Sequence, residues 1–213
     1  MSFSTDRDLL ALEPALFSEV LFASQKRVEL SDGVIAGTTL TSATANFESA
    51  QVDAGDVLLI ADKPCEVVAR NSATSLTISQ LRDHISDDAL PPGDGSSLAV
   101  VHRTFAPQAE LIHDELLRLL GIDAEGHGTL TEDAIVSLSV MRDLEVLLTL
   151  ARLYEAATTI SNEDSFNLLR TKATSYRARF REAARSSVIH LDLDGDGHAD
   201  TVRDLRSIGL VRV

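Results

Sequence analysis

The chain has 213 residues, a formal net charge of −14, one cysteine and no tryptophan. That length suffices for one ordinary domain or two small ones with a sizeable core. A single cysteine excludes an intramolecular disulfide scaffold, and the acidic balance argues against a general binder of nucleic acid or anionic membranes. Aromatic residues make up only 4 %, so Leu, Val, Ile and Ala must build the core. The charge is uneven: residues 1–133 hold 22 Asp/Glu against 8 Lys/Arg, whereas residues 134–213 hold 11 of each.

Residues 1–26 read as an N-terminal helical segment. Its start, MSFSTDRDLLALEP, lacks the basic and apolar regions of a signal peptide, and no apolar run in the chain approaches 18 residues. Both features point to a protein made and used in the cytoplasm. Thr5 with Asp8 resembles a capping box ahead of Leu9, Leu10 and Leu12. Pro14 suits the first turn of a second short helix carrying Leu16, Phe17 and Val20.

Residues 27–105 change period from 3.6 to 2. Thr38–Thr41, Asp56–Ala61, Cys65–Arg70, Ser75–Ser79 and Leu98–Thr104 are β-rich runs. Ser31-Asp32-Gly33, Asp53–Asp56, Asn71–Thr74 and Pro91–Gly95 are turn sequences between them. This spacing predicts a small sandwich or barrel. Residues 83–97 form a long polar loop of the kind that is mobile or contacts a partner. Cys65 reads as a small buried hydrophobe.

Residues 106–186 read as a helical core. Pro107 opens a helix that Gly121 closes. Thr129 with Glu132 predicts a capping box for a second helix bearing apolar residues from Ile135 to Tyr154, nearly all round and hence central. Asn162 is placed to cap a third helix. One face of it carries Phe166, Leu169, Ala173, Tyr176, Phe180 and Ala184. Arg177, Arg179, Arg181 and Arg185 could touch DNA in a channel or meet the acidic part of a neighbouring subunit, and the charge segregation favours the second.

Residues 187–213 form a tail of two short strands around an Asp/Gly-rich loop. Asp192, Asp194, Asp196, His198 (through its carbonyl) and Asp200 fall at positions 1, 3, 5, 7 and 9 of an EF-hand-like calcium loop, with Gly197 at position 6. Position 12 is Arg203 where a bidentate Glu belongs, which favours an Asx-rich hairpin turn instead. Calcium is the only cofactor the sequence brings into question. No histidine pair has HExxH spacing, and GxSxG and phosphate-loop motifs are absent. No catalytic residue is therefore assigned, and the expectation is a protein that is not an enzyme.

Residues 103–122, RTFAPQAELIHDELLRLLGI, and 141–184, ending KATSYRARFREAA, resemble head–tail connector (adaptor) proteins of tailed bacteriophages and gene transfer agents. Residues 34–79 also resemble a small β module common in phage structural proteins. The resemblance implies a three-helix core and a C-terminal arm; with the strand spacing above, which departs from the minimal all-helical adaptor, the chain is expected to be α+β, a helical bundle core with an inserted small β-barrel or sandwich and a C-terminal β arm. It further implies a homo-oligomeric ring, a dodecamer matching the portal, in the virion neck and assembled in the host cytoplasm. Such a ring docks on the portal protein, continues the DNA channel and offers its far side to the next connector or tail protein. DNA then passes only transiently, and no membrane is involved. Ile208, Leu210, Val211, Arg212 and Val213 would form the docking arm by adding a strand to a partner sheet. The alternative is a calcium-dependent protein-binding module with a β adhesion domain. A hydrolase using Asp or His is a third class with little in the spacing to recommend it.

Overall fold

A computed structural model describes residues 2–123, 130–161 and 163–205. It is a mixed α+β protein whose contacts divide it into two compact units. One comprises residues 5–106; the other joins residues 2–4 to the chain from Pro107 onward. The β unit is thus inserted after the first few residues of the helical unit. This division cuts the chain differently from the four expected segments. Residues 5–26 belong with the β unit, and the tail hairpin belongs with the helices.

The first unit opens with α1 (Asp6–Leu12) and α2 (Leu16–Glu19). The Thr5 backbone N–H donates to Asp8 Oδ2 at 2.9 Å, closing the expected capping box. Leu9, Leu10, Leu16, Phe17 and Val20 are all buried, and Phe17 packs against Phe105 with ring centroids 5.2 Å apart. Six strands follow: β1 (Lys26–Ala36), β2 (Thr39–Thr41), β3 (Val57–Ile60), β4 (Lys63–Ser72), β5 (Ser75–Ser79) and β6 (Gly95–Arg103). They close into an antiparallel barrel in the order β1-β2-β5-β4-β3-β6. Closure removes the exposed sheet edges that would otherwise pair with other chains. Leu40, Phe47, Leu58, Val67, Leu76, Ile78 and Val100 fill its interior.

The longest strand, β1, contains Ser31-Asp32-Gly33, which the sequence presents as a turn. The pairing of β1 with β6 shifts register on either side of Gly33, so the segment is a bulged strand. Gly33 is needed there for space. A Cβ at this position would sit 2.7 Å from Val100 Cγ2 and 3.1 Å from the Leu98 carbonyl oxygen. Asp32 accepts hydrogen bonds from the Ser42 hydroxyl (2.6 Å) and the Thr44 amide (3.0 Å), tying the bulge to the chain after β2.

The second unit contains α3 (Ala106–Leu119), α4 (Leu138–Thr158) and α5 (Glu163–Ser186). Gly121, at φ +64°, ends the run of α3 as the sequence predicts. Helix α4 is the most buried, with Met141, Leu144, Leu148, Leu150 and Leu153 inside. It begins at Leu138 and not at Ile135. Ile135 is extended because the chain here pairs with the tail: Ile135 bridges Leu191, and the Val136 amide donates to the His190 carbonyl at 3.0 Å. Tertiary pairing has overridden helical periodicity there. Strands β7 (Val188–Leu191) and β8 (Thr201–Asp204) form the tail hairpin. Ile189 and Leu191 bury themselves with Ile112, Leu116 and Met141. Thr129 and Asn162, the expected caps, lie outside the described residues. No described helix is long and apolar enough to cross a membrane.

Candidate functional site

Helix α5 is the most unusual surface element of the second unit. Of its 24 residues only Leu169 and Tyr176 are buried. Tyr176 stacks on Tyr154 of α4 with ring centroids 5.9 Å apart and planes 4° from parallel. Beside this seam α4 and α5 enclose an open groove of about 490 Å³, lined among others by Glu155, Phe166, Arg170, Arg177 and Arg181. Arg177 is ion-paired with Glu155 in its wall. The four expected arginines therefore do not share one face. Arg177 and Arg181, four apart, line the groove with Arg170, whereas Arg179 lies over the Tyr176 ring at 5.2 Å. Arg185 is exposed in the last turn, where a cation complements the helix dipole.

The Asp/Gly loop joins β7 to β8. Asp192, Asp194 and Asp200 each place a carboxylate oxygen within 4.8 Å of the other two. The loop also satisfies these carboxylates itself. Asp192 accepts the amides of Gly195 and Gly197, both at 2.7 Å, and Asp200 accepts that of Leu193 at 2.7 Å. The Gly197 amide, foremost, holds the Asp192 carboxyl below its ordinary range. Asp196 accepts the His198 amide at 2.7 Å and stands outside the converging trio. The flanks are strands, and position 12 supplies the Arg203 guanidinium, which reaches toward Gly121. These are the features of an Asx-stabilised hairpin turn. The expected docking arm, Ile208, Leu210, Val211, Arg212 and Val213, lies outside the described residues.

Three buried polar clusters escaped the sequence reading because their members are far apart in the chain. In the second unit, Glu145 is fully buried on α4 and accepts the Phe3 amide (3.1 Å), the Ser4 amide (2.8 Å) and the Ser4 hydroxyl (2.5 Å). His113 lies between Glu145 and Glu132, 3.2 Å from each. In the barrel unit, Glu66 is fully buried between Arg7 and Arg82, each Nε donating at 2.5 Å. Asp6, Asp56 and His102 converge in the same unit. The Cys65 thiol is pushed up to about 11, chiefly by burial, which suits a packing residue and not a nucleophile.

No protein-family model, curated protein or solved structure matches this chain.

Proposed function

We propose that the chain is a structural adaptor of a phage head-to-tail connector. Copies form a ring that docks on the portal and continues the DNA channel toward the tail. The observation that carries this reading is α5, a long helix that buries only two side chains, leaves Leu168 52 % exposed and, on another side, lines a groove with arginines. A helix so poorly covered draws its stability from packing, and a neighbouring copy is the natural source. In that assembly α3, α4 and α5 act as the helical bundle core of each subunit. Arg170, Arg177 and Arg181 meet carboxylates of the next copy, whose residues 1–133 hold most of the chain's excess negative charge. The segment 208–213 docks on the portal, and the barrel offers a further surface to the next neck component. On this reading the chain catalyses nothing and resides in the virion neck.

The test is sedimentation of the full chain with the portal protein of the same phage. Leu168→Asp and Arg177→Glu should abolish co-sedimentation while shifting subunit stability by no more than about 0.5 kcal/mol, as for ordinary surface changes. Variants that co-sediment as well as the parent chain would remove α5 from the interface.

The alternative of a calcium-dependent binding module draws on the convergence of Asp192, Asp194 and Asp200. It is tested by calorimetric titration with calcium, using Asp194→Ala as the comparison; no heat from the parent chain rules it out.

A further inference from the structure

We propose that Asp6, Asp56 and His102 form a site for one divalent first-row metal cation of the zinc class, fastening α1 to the barrel wall. The three side chains come from separate pieces of the barrel unit: the first turn of α1, the turn entering β3, and β6. Their donor atoms all lie within 4.8 Å of one another. His102 is 1 % exposed and Asp6 3 % exposed, so neither is served by bulk water.

The second observation is that Asp6 Oδ2 and both ring nitrogens of His102 are buried without an aligned hydrogen-bond partner. Asp6 Oδ1 accepts the Phe105 amide at 2.9 Å and the Thr104 hydroxyl lies beside the same carboxyl, but Asp6 Oδ2 has no aligned hydrogen-bond partner. Neither ring nitrogen of His102 makes an aligned hydrogen bond. Nε2 lies 3.2 Å from Asp56 Oδ2, close enough for attraction but not oriented as a donor to it. Asp56 Oδ2 instead accepts the Asp53 amide at 2.9 Å. Buried polar atoms are almost always satisfied, and an orphan carboxylate oxygen beside an orphan imidazole calls for an explanation. A cation between them satisfies both at once and neutralises two carboxylates crowded together.

One imidazole with two carboxylates suits zinc, manganese or iron(II) better than calcium or magnesium, which prefer all-oxygen shells. Zinc bonds of about 2.0–2.2 Å put tetrahedral donors roughly 3.4 Å apart, so no pair has to close by more than about 1.4 Å on binding. The Asp56 side chain is 19 % exposed, which gives the ion a way in and leaves a coordination position facing solvent. Burial, the largest influence, raises the Asp6 carboxyl to about 7, so binding displaces a proton held more firmly than on an ordinary carboxylate.

The experiment uses the full chain, untagged and stripped with chelator, titrated with zinc by calorimetry and with cobalt(II) by visible absorption. The expected result is one equivalent of metal per chain and cobalt bands of a four- or five-coordinate site. Zinc binding should weaken at least about 100-fold in Asp56→Asn and in His102→Gln. Asp56 sits at the rim, so its variant keeps the test valid if the His102 variant folds poorly; circular dichroism checks both. Absence of stoichiometric binding by the parent chain overturns the proposal. So does parental affinity in both barrel variants, or loss of binding in Asp194→Asn alone, which would place the metal in the tail loop.

Discussion

The Ser4 hydroxyl donates to Glu145 Oε1 at 2.5 Å, joining residues 141 positions apart. Together with the amides of Phe3 and Ser4 it gives a fully buried carboxylate three donors from the start of the chain, while His113 approaches from α3. Along the sequence, the whole barrel unit lies between these first residues and the helices they bind.

Removing that carboxylate strands the donors. Glu145→Ala should destabilise the chain by about 3 kcal/mol, the scale for breaking a buried charged cluster. Deleting residues 1–4 should cause a similar loss, because it leaves Glu145 buried with its main donors gone. Urea denaturation measures both, and a loss below about 1 kcal/mol in each would mean the strap is incidental.

Glu66 holds two guanidinium groups inside the barrel unit. Glu66→Ala leaves Arg7 and Arg82 without their shared carboxylate and should cost about 3–5 kcal/mol. Adding Arg7→Met and Arg82→Met to that variant should recover much of the loss, since apolar replacement of a buried ion cluster is often neutral. Thermal and urea unfolding of the single and triple variants tests the coupling. A triple variant less stable than the single one would contradict it.

The bulge in β1 should respond to acid through Asp32. The Ser42 hydroxyl, foremost, and Thr44 hold the Asp32 carboxyl below its ordinary range. A folded pKa below the unfolded one means the stabilisation is complete above about pH 4 and fades as pH falls through the lowered value. In a pH series of amide spectra, the Thr44 signal should move with a midpoint below the ordinary aspartate value, and Asp32→Asn should abolish that transition. A midpoint at or above the ordinary value would contradict the tie.

Local signals in the sequence translated well where the structure is local. The Thr5–Asp8 cap, the stop at Gly121, the buried α4 and strands β2 to β6 all lie close to their expected positions. Two misreadings come from pairing with distant chain, and a third from a contact within one helix. Ser31-Asp32-Gly33 looks like a turn, yet it stays in β1 because β6 pairs across it and Val100 demands a residue without a Cβ. Ile135 looks like the start of a helix, yet it is extended because Leu191 bridges it. The arginines of α5 look like one basic face, yet Arg179 leaves the groove to cover Tyr176. The buried clusters around Glu145, Glu66 and His102 had no local signal at all. A lone Glu among leucines, or a His within a β run, shows its role only when its partners from other elements are placed around it.

End-on electron microscopy of the full chain mixed with portal rings of the same phage tests the connector reading most directly. The account predicts a closed ring of this protein, stacked coaxially on the portal and sharing its symmetry, which disappears when Leu168→Asp and Arg177→Glu are combined. A chain that stays monomeric and leaves the portal rings bare at saturating concentration would contradict it.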